Sequence, residues 1–232
     1  MRAGRPLGLV GATAVVGAGT AANRLAGLPL SSMAATPRAV AGGKLWLLVT
    51  SGLLADTPWL PSLFGFAIVL AVALYVLQVS DVVFVAAAGQ VVSTLVVYLI
   101  IGVARLVEPH AFASVVDLQD FGVSAMIAAW IGAVAAVAWS RHNHLLVAAG
   151  CLACLGVGLA FRPTITFLDS EHLVSFAIGA AYMSSRFSRI VLSMRNAIAA
   201  AALGLRAHAG LRSSRHIASR LASDPDGPRG IS

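Results

Sequence analysis

Charge is what this chain is short of. Only 11% of its 232 residues are Asp, Glu, Lys or Arg, and nine of them are acidic. A soluble domain of this length needs a far more polar surface. Lysine is almost missing, with Lys44 alone against 15 arginines, a bias that suits a GC-rich bacterial genome. Cysteine occurs twice, at Cys151 and Cys154. The pair forms a C-x-x-C inside an apolar run, where residues i and i+3 share a helix face and cysteine packs as a small apolar side chain. Such a motif signals redox chemistry only beside a soluble redox fold, which this composition excludes. Nor do the basic residues gather around a groove. The net charge of +7 leans on eight arginines from Arg186 onward, so no nucleic-acid partner is expected.

Apolar residues fill the gap. They make up 59% of the chain, and the mean hydropathy is +0.88. Several runs approach the roughly 20 residues that cross a bilayer core as a helix, so the reading is an all-α, polytopic membrane protein. Six spans are expected: Leu7 to Ala22, Pro61 to Val79, Val82 to Val103, Phe121 to Trp139, Leu145 to Phe161 and His172 to Met183. The first carries small residues (Gly8, Ala12, Gly17, Ala21) suited to close helix contact. Arg2 and Arg5 before it make a signal peptide the competing reading. Lys44 to Leu54 is apolar but short, and Asp56, Pro58 and Pro61 follow it. It reads as an interfacial or buried loop segment before the second span, with Trp46 and Trp59 at headgroup level.

Residues 1–190 form the expected transmembrane domain, and 191–232 a basic tail, either solvated or lying on anionic lipid. Six spans put both termini on one side. That side carries eleven basic residues, and the opposite loops carry five: Arg24, Arg38, Lys44, Arg105 and Arg162. The positive-inside rule then places both termini in the cytoplasm of a bacterial plasma membrane. Asp56, Glu108, Asp117, Asp120, Asp169 and Glu171 fall outside.

Two polar residues stand at the outer entrances of separate spans. Ser124 lies in Asp120-Phe121-Gly122-Val123-Ser124-Ala125 and His172 in Glu171-His172-Leu173-Val174-Ser175. Both spans descend from the outer face, so the two share a depth. A serine hydroxyl becomes a nucleophile when a base such as neutral imidazole takes its proton. Close approach of the helices needs small residues, supplied by Gly122, Ala125, Ser175 and Gly179. Asp120, or else Asp117, is the expected N-cap of the fourth span, whose free first-turn N–H groups could stabilise an oxyanion. The ordinary alternatives are a serine bonded to its own backbone and an interfacial histidine. His142 and His144 in a short turn lack further ligands, and His110, His208 and His216 read as solvent-facing, so no metal and no cofactor are expected.

From about Gly43 to Ala181 the chain resembles the rhomboid intramembrane serine proteases. Gly122-Val123-Ser124 matches their G-x-S at the start of the fourth helix, and His172 with Gly179 their histidine and small residue in the sixth. Leu45-Trp46-Leu47-Leu48-Val49-Thr50-Ser51 is similar to their W-R-x-x-T-S stretch, with Leu47 in place of arginine. The resemblance implies a six-helix core, Ser124 as nucleophile, His172 as general base, and membrane-protein substrates cut near the bilayer surface. The chain departs from the family in Ala55 to Phe64, which holds none of the usual two histidines and asparagine, and in having Ala125 and Ser175 where glycines are usual. Loss of one oxyanion donor costs about 3–4 kcal/mol. Gln90, Ser93 or Thr94 of the third span are candidate substitutes, with Gln90 otherwise a helix–helix hydrogen bond. A non-catalytic relative that binds transmembrane segments is the alternative. A transporter is disfavoured, since the spans lack paired carboxylates and inverted halves. Oligomeric state is not encoded in any motif.

Overall fold

The computed structural model describes residues 4–25, 27–55, 58–110, 112–143, 170–186 and 188–189. The expected fifth span, the C-x-x-C, His144 and the tail beyond Arg189 lie outside the described residues. The chain divides into two units, Met1–Ser185 and Arg186–Ser232, and both hydrophobic cores belong to the first.

The regular elements among the described residues are helical, joined by one isolated antiparallel bridge between Ala35 and Asp120. Helix α1 runs Gly4–Leu25, α2 Pro37–Ala41 and α3 Leu47–Thr50. Helix α4 runs Trp59–Val76, α5 Val79–Val107 and α6 Ser124–Ser140, and a last helix, α7, covers 170–186. Single 3-10 turns occupy Ser51–Leu53 and Val115–Asp117. Helices α4 and α5 are each long and apolar enough to cross a membrane, while α6 is apolar but shorter.

Helix α6 is enclosed because its inward face is small. It packs on α4 and α5, and Ala125, Ala129, Gly132 and Ala133 are buried. A Cβ built on Gly179 of α7 would stand 1.9 Å from the Ala129 carbonyl oxygen, and one on Gly132 would stand 2.1 Å from the Phe176 carbonyl oxygen. At these two positions only glycine lets the α6 and α7 backbones meet. Trp130 fills the space below, its Nε1 donating to the Val82 carbonyl at 2.9 Å and its ring tilted against Phe66. Val16, Leu70, Leu74, Leu77 and Val85 complete this core.

A second core caps the first. Val97, Tyr98 and Ile101 from the far end of α5 are covered by Ala35, Val40, Leu47, Leu48 and Val116. The segment 33–53 therefore forms a roof of short turns, while Leu45, Trp46 and Val49 face outward. Arg38 and Asp117 tie this roof to the turn before α6 with a two-pronged ion pair, exposed on both sides.

Helix ends differ from the expectations drawn from hydropathy. The apolar run begins at Phe121, yet α6 begins at Ser124, because Gly122 sits at φ 127°, which a helix does not admit. Asp120 is no N-cap, and neither is Asp117. Val123 precedes the helix without a side-chain cap, while the Asp120 backbone pairs with Ala35 in both directions. In α1 the tight contact is not at Gly8 or Gly17. It is at Gly19, where a Cβ would lie 2.5 Å from the Leu53 carbonyl oxygen. Asp81 stands between two apolar runs in the sequence, yet it is buried in the first turn of α5 and accepts a hydrogen bond from the Tyr182 hydroxyl at 3.1 Å.

Candidate functional site

The structure brings the Ser124 Oγ and the His172 Nε2 to 2.8 Å of each other, although 47 residues separate them in sequence. Ser124 is the first residue of α6 and His172 the third of α7, and both are half-buried. With its proton on Nδ1, the ring accepts a hydrogen bond from the serine hydroxyl; the tautomer follows from that role. The serine also stands at the positive end of the α6 dipole. The N–H groups of that first turn have no partner within the helix, an arrangement favourable to negative charge near Oγ.

Below the dyad the packing residues behave as spacers. Ala125 is buried, Gly179 meets Ala129, and the Ser175 hydroxyl donates to the Gly89 carbonyl at 2.9 Å, tying α7 to α5. Gly89 itself faces α6, where a Cβ would clash with that of Ala129.

Gln90, Ser93 and Thr94, the candidate oxyanion donors, are otherwise engaged, and so is the backbone of Gly122, a further candidate for that role or for positioning. The Gly122 N–H donates to the Ser51 carbonyl at 3.0 Å, so it braces the approach to Ser124 and is not offered to a ligand. Gln90 donates from Nε2 to the Ser51 Oγ at 3.3 Å, and its buried Oε1 has no partner among the described residues. It therefore supports the Ser51–Gly52 turn from beneath. The Thr94 hydroxyl is divided between the Gln90 carbonyl at 2.5 Å and Glu171 Oε1. Ser93 is likewise within reach of the Gly89 carbonyl and Glu171. What remains for an oxyanion is the backbone at the start of α6.

The places of two residues at the site, Glu171 and Ser51, are not evident from the sequence. Glu171, which hydropathy assigns to an outer loop, is only 3% exposed and contacts Ser93 and Thr94. Asp120, in the segment before α6, accepts a hydrogen bond from the Tyr98 hydroxyl at 3.2 Å. Ser51, in sequence only part of a short motif, is fully buried between Gln90 and Gly122. Two adjacent hydroxyl residues in the middle of an apolar span, Ser93 and Thr94, are the available signal that a polar partner comes to meet them. A scan against family models and searches of curated proteins and of solved structures return no match to this chain.

Proposed function

We propose that this chain is a rhomboid-like intramembrane serine protease of a bacterial plasma membrane, with six spans and both termini cytoplasmic, cutting membrane-protein substrates near the outer leaflet. The observation that carries the reading is the 2.8 Å contact between Ser124 Oγ and His172 Nε2. In the proposed reaction Oγ attacks the scissile carbonyl carbon while Nε2 takes the hydroxyl proton. The ring returns that proton to the leaving amine. A water then attacks the acyl-serine with the same ring as base, which restores the hydroxyl and releases the acid. No metal or cofactor enters this scheme.

Depth and surface support it. From Ser124 to Ser140, α6 has 17 residues and rises about 25 Å at 1.5 Å per residue. With Arg141 at the inner interface of a core about 30 Å thick, Ser124 lies about 5 Å beneath the outer edge. Water can reach that level. Along α4 the side chains of Leu60, Phe64, Ile68 and Val72 project outward at four-residue spacing. Such a stripe is costly in water and suits acyl chains.

A second reading draws on the engagement of Gly122, Gln90 and Thr94. With those donors unavailable, the same fold could hold transmembrane segments without cutting them. A serine-directed fluorophosphonate probe, applied to the full chain in lipid bilayers, separates the two. Catalysis requires labelling of the native protein that disappears in both Ser124→Ala and His172→Ala. Absence of labelling in the native protein refutes it in favour of the binding role.

A further inference from the structure

Helix α7 meets its two neighbours along adjacent faces, and in different ways. His172, Phe176 and Gly179 lie at i, i+4 and i+7 on the face toward α6. The imidazole contacts Ser124, the Phe176 carbonyl lies against Gly132, and Gly179 lies against the Ala129 carbonyl. Below the imidazole this seam is backbone against glycine. It fixes the distance between the helices, but a glycine offers no side chain to interlock against rolling or sliding.

The face beside it carries polar contacts to α5. Glu171 accepts from Ser93 and Thr94, the Ser175 Oγ donates to the Gly89 carbonyl at 2.9 Å, and the Tyr182 hydroxyl donates to Asp81 at 3.1 Å. As α7 advances from 171 to 175 to 182, its partner on α5 recedes from 94 to 89 to 81. Among the described residues these are three rungs of one antiparallel ladder. Ser175 and Asp81 are buried, and the Tyr182 ring is further held by Phe84, with centroids 4.6 Å apart. Hydrogen bonds have a narrow range of distance and direction, so the ladder resists the movements that the glycine seam permits.

We propose that Ser175 and Tyr182 are positioning residues: their hydroxyls, bonded to the Gly89 carbonyl and to Asp81, fix the roll and height of α7 and so hold the His172 ring on the Ser124 hydroxyl. The catalytic consequence rests on the protease reading; the register of α7 does not. Side chains reach about 5–6 Å from a helix axis, so a roll of about 10° carries the imidazole about 1 Å. The dyad contact of 2.8 Å leaves hydrogen-bond range at about 3.2 Å, well inside that movement.

The test is the ring nitrogen-15 resonance of His172 in the full-length, histidine-labelled protein in lipid nanodiscs. Its loss in His172→Gln assigns the signal, and Ser124→Ala gives its position without the serine. Ser175→Ala and Tyr182→Phe each remove one oxygen, and the second keeps the ring against Phe84. Each is expected to move the signal part of the way toward the Ser124→Ala position. The double variant should reach it, with fluorophosphonate labelling down roughly 10²-fold, as for a reacting group misplaced by about 1 Å. Asp81→Asn keeps an oxygen for the Tyr182 hydroxyl and should hold the native signal, whereas Asp81→Leu should move it as Tyr182→Phe does. Thr20→Val, which loosens the contact of α1 with Ala55, should leave the signal native.

A native signal in the double variant overturns the proposal, as does a native signal in both single variants if the double does not fold. So does a shift in Thr20→Val equal to that of the ladder variants, since general loosening would then be the cause. A shift in Asp81→Asn as large as in Asp81→Leu also overturns it. Ladder variants that shift the resonance of a protein that takes no label in its native form retire the protease reading and leave the ladder's role standing.

Discussion

Gly179→Ala tests whether the dyad depends on backbone contact between α6 and α7. The added methyl would stand 1.9 Å from the Ala129 carbonyl oxygen and 2.8 Å from its carbon. An ordinary carbon–oxygen contact is about 3.3–3.6 Å, so the helices must part by roughly 1.4–1.7 Å at that level. The atoms in the way are backbone, which no rotamer change can move aside. The His172–Ser124 contact starts at 2.8 Å and has only about 0.4 Å of slack before it leaves hydrogen-bond range. Two consequences are expected together. Overpacking should cost about 1–3 kcal/mol of stability, and loss of the base should slow fluorophosphonate labelling by about 10²–10⁴-fold. Thermal unfolding in bilayer-mimetic micelles measures the first, and the time course of labelling measures the second. Gly65→Ala is the control, since a Cβ there meets nothing within 4 Å. It should be neutral or gain about 0.5–1 kcal/mol from helix propensity. If Gly179→Ala unfolds and labels as the native protein does, the close approach of the helices is not what seats the dyad.

Thr20→Val keeps shape but removes the oxygen that accepts the buried Ala55 N–H at 2.9 Å. Leaving that donor unpaired should cost about 1–3 kcal/mol, read as a lower unfolding temperature. Gln90→Met keeps the bulk that meets Gly52 while deleting an acceptor that has no partner among the described residues. Stability should be unchanged or higher, whereas Gln90→Ala opens a cavity and should lose about 2 kcal/mol or more; equal losses in both would show that the amide's bond to Ser51 dominates.

Much of the site could be read from the chain because it is governed by short-range features. Ser124 and His172 each follow an acidic residue at the edge of an apolar run, and Gly179 falls seven residues after the histidine, on the same helix face. Helical period and hydropathy carry that information. The role of Glu171 was hidden for the opposite reason. An acid before an apolar run reads as solvated, and only the vertical register of α7 against the middle of α5 brings it to Ser93 and Thr94. That register is a tertiary quantity with no local trace. Asp120 failed as an N-cap for a related reason. Hydropathy counts Phe121-Gly122-Val123 as part of the helix, whereas the backbone turn at Gly122 is imposed by the Ser51 carbonyl, 71 residues earlier. Thr94 had the right chemistry for an anion site, but its hydroxyl is consumed by a neighbour that the linear sequence places in a different loop.

The reactive-looking hydroxyl borrows its stillness from far upstream. Three backbone threads reach it from the roof, two between Ala35 and Asp120 and one from Gly122 to Ser51. None of them touches the hydroxyl itself, yet together they fix the last few residues before it. Whatever tugs on the roof, a docking helix or a thinning leaflet, must therefore tug on Ser124 too, so the covering strap and that hydroxyl would move as one piece.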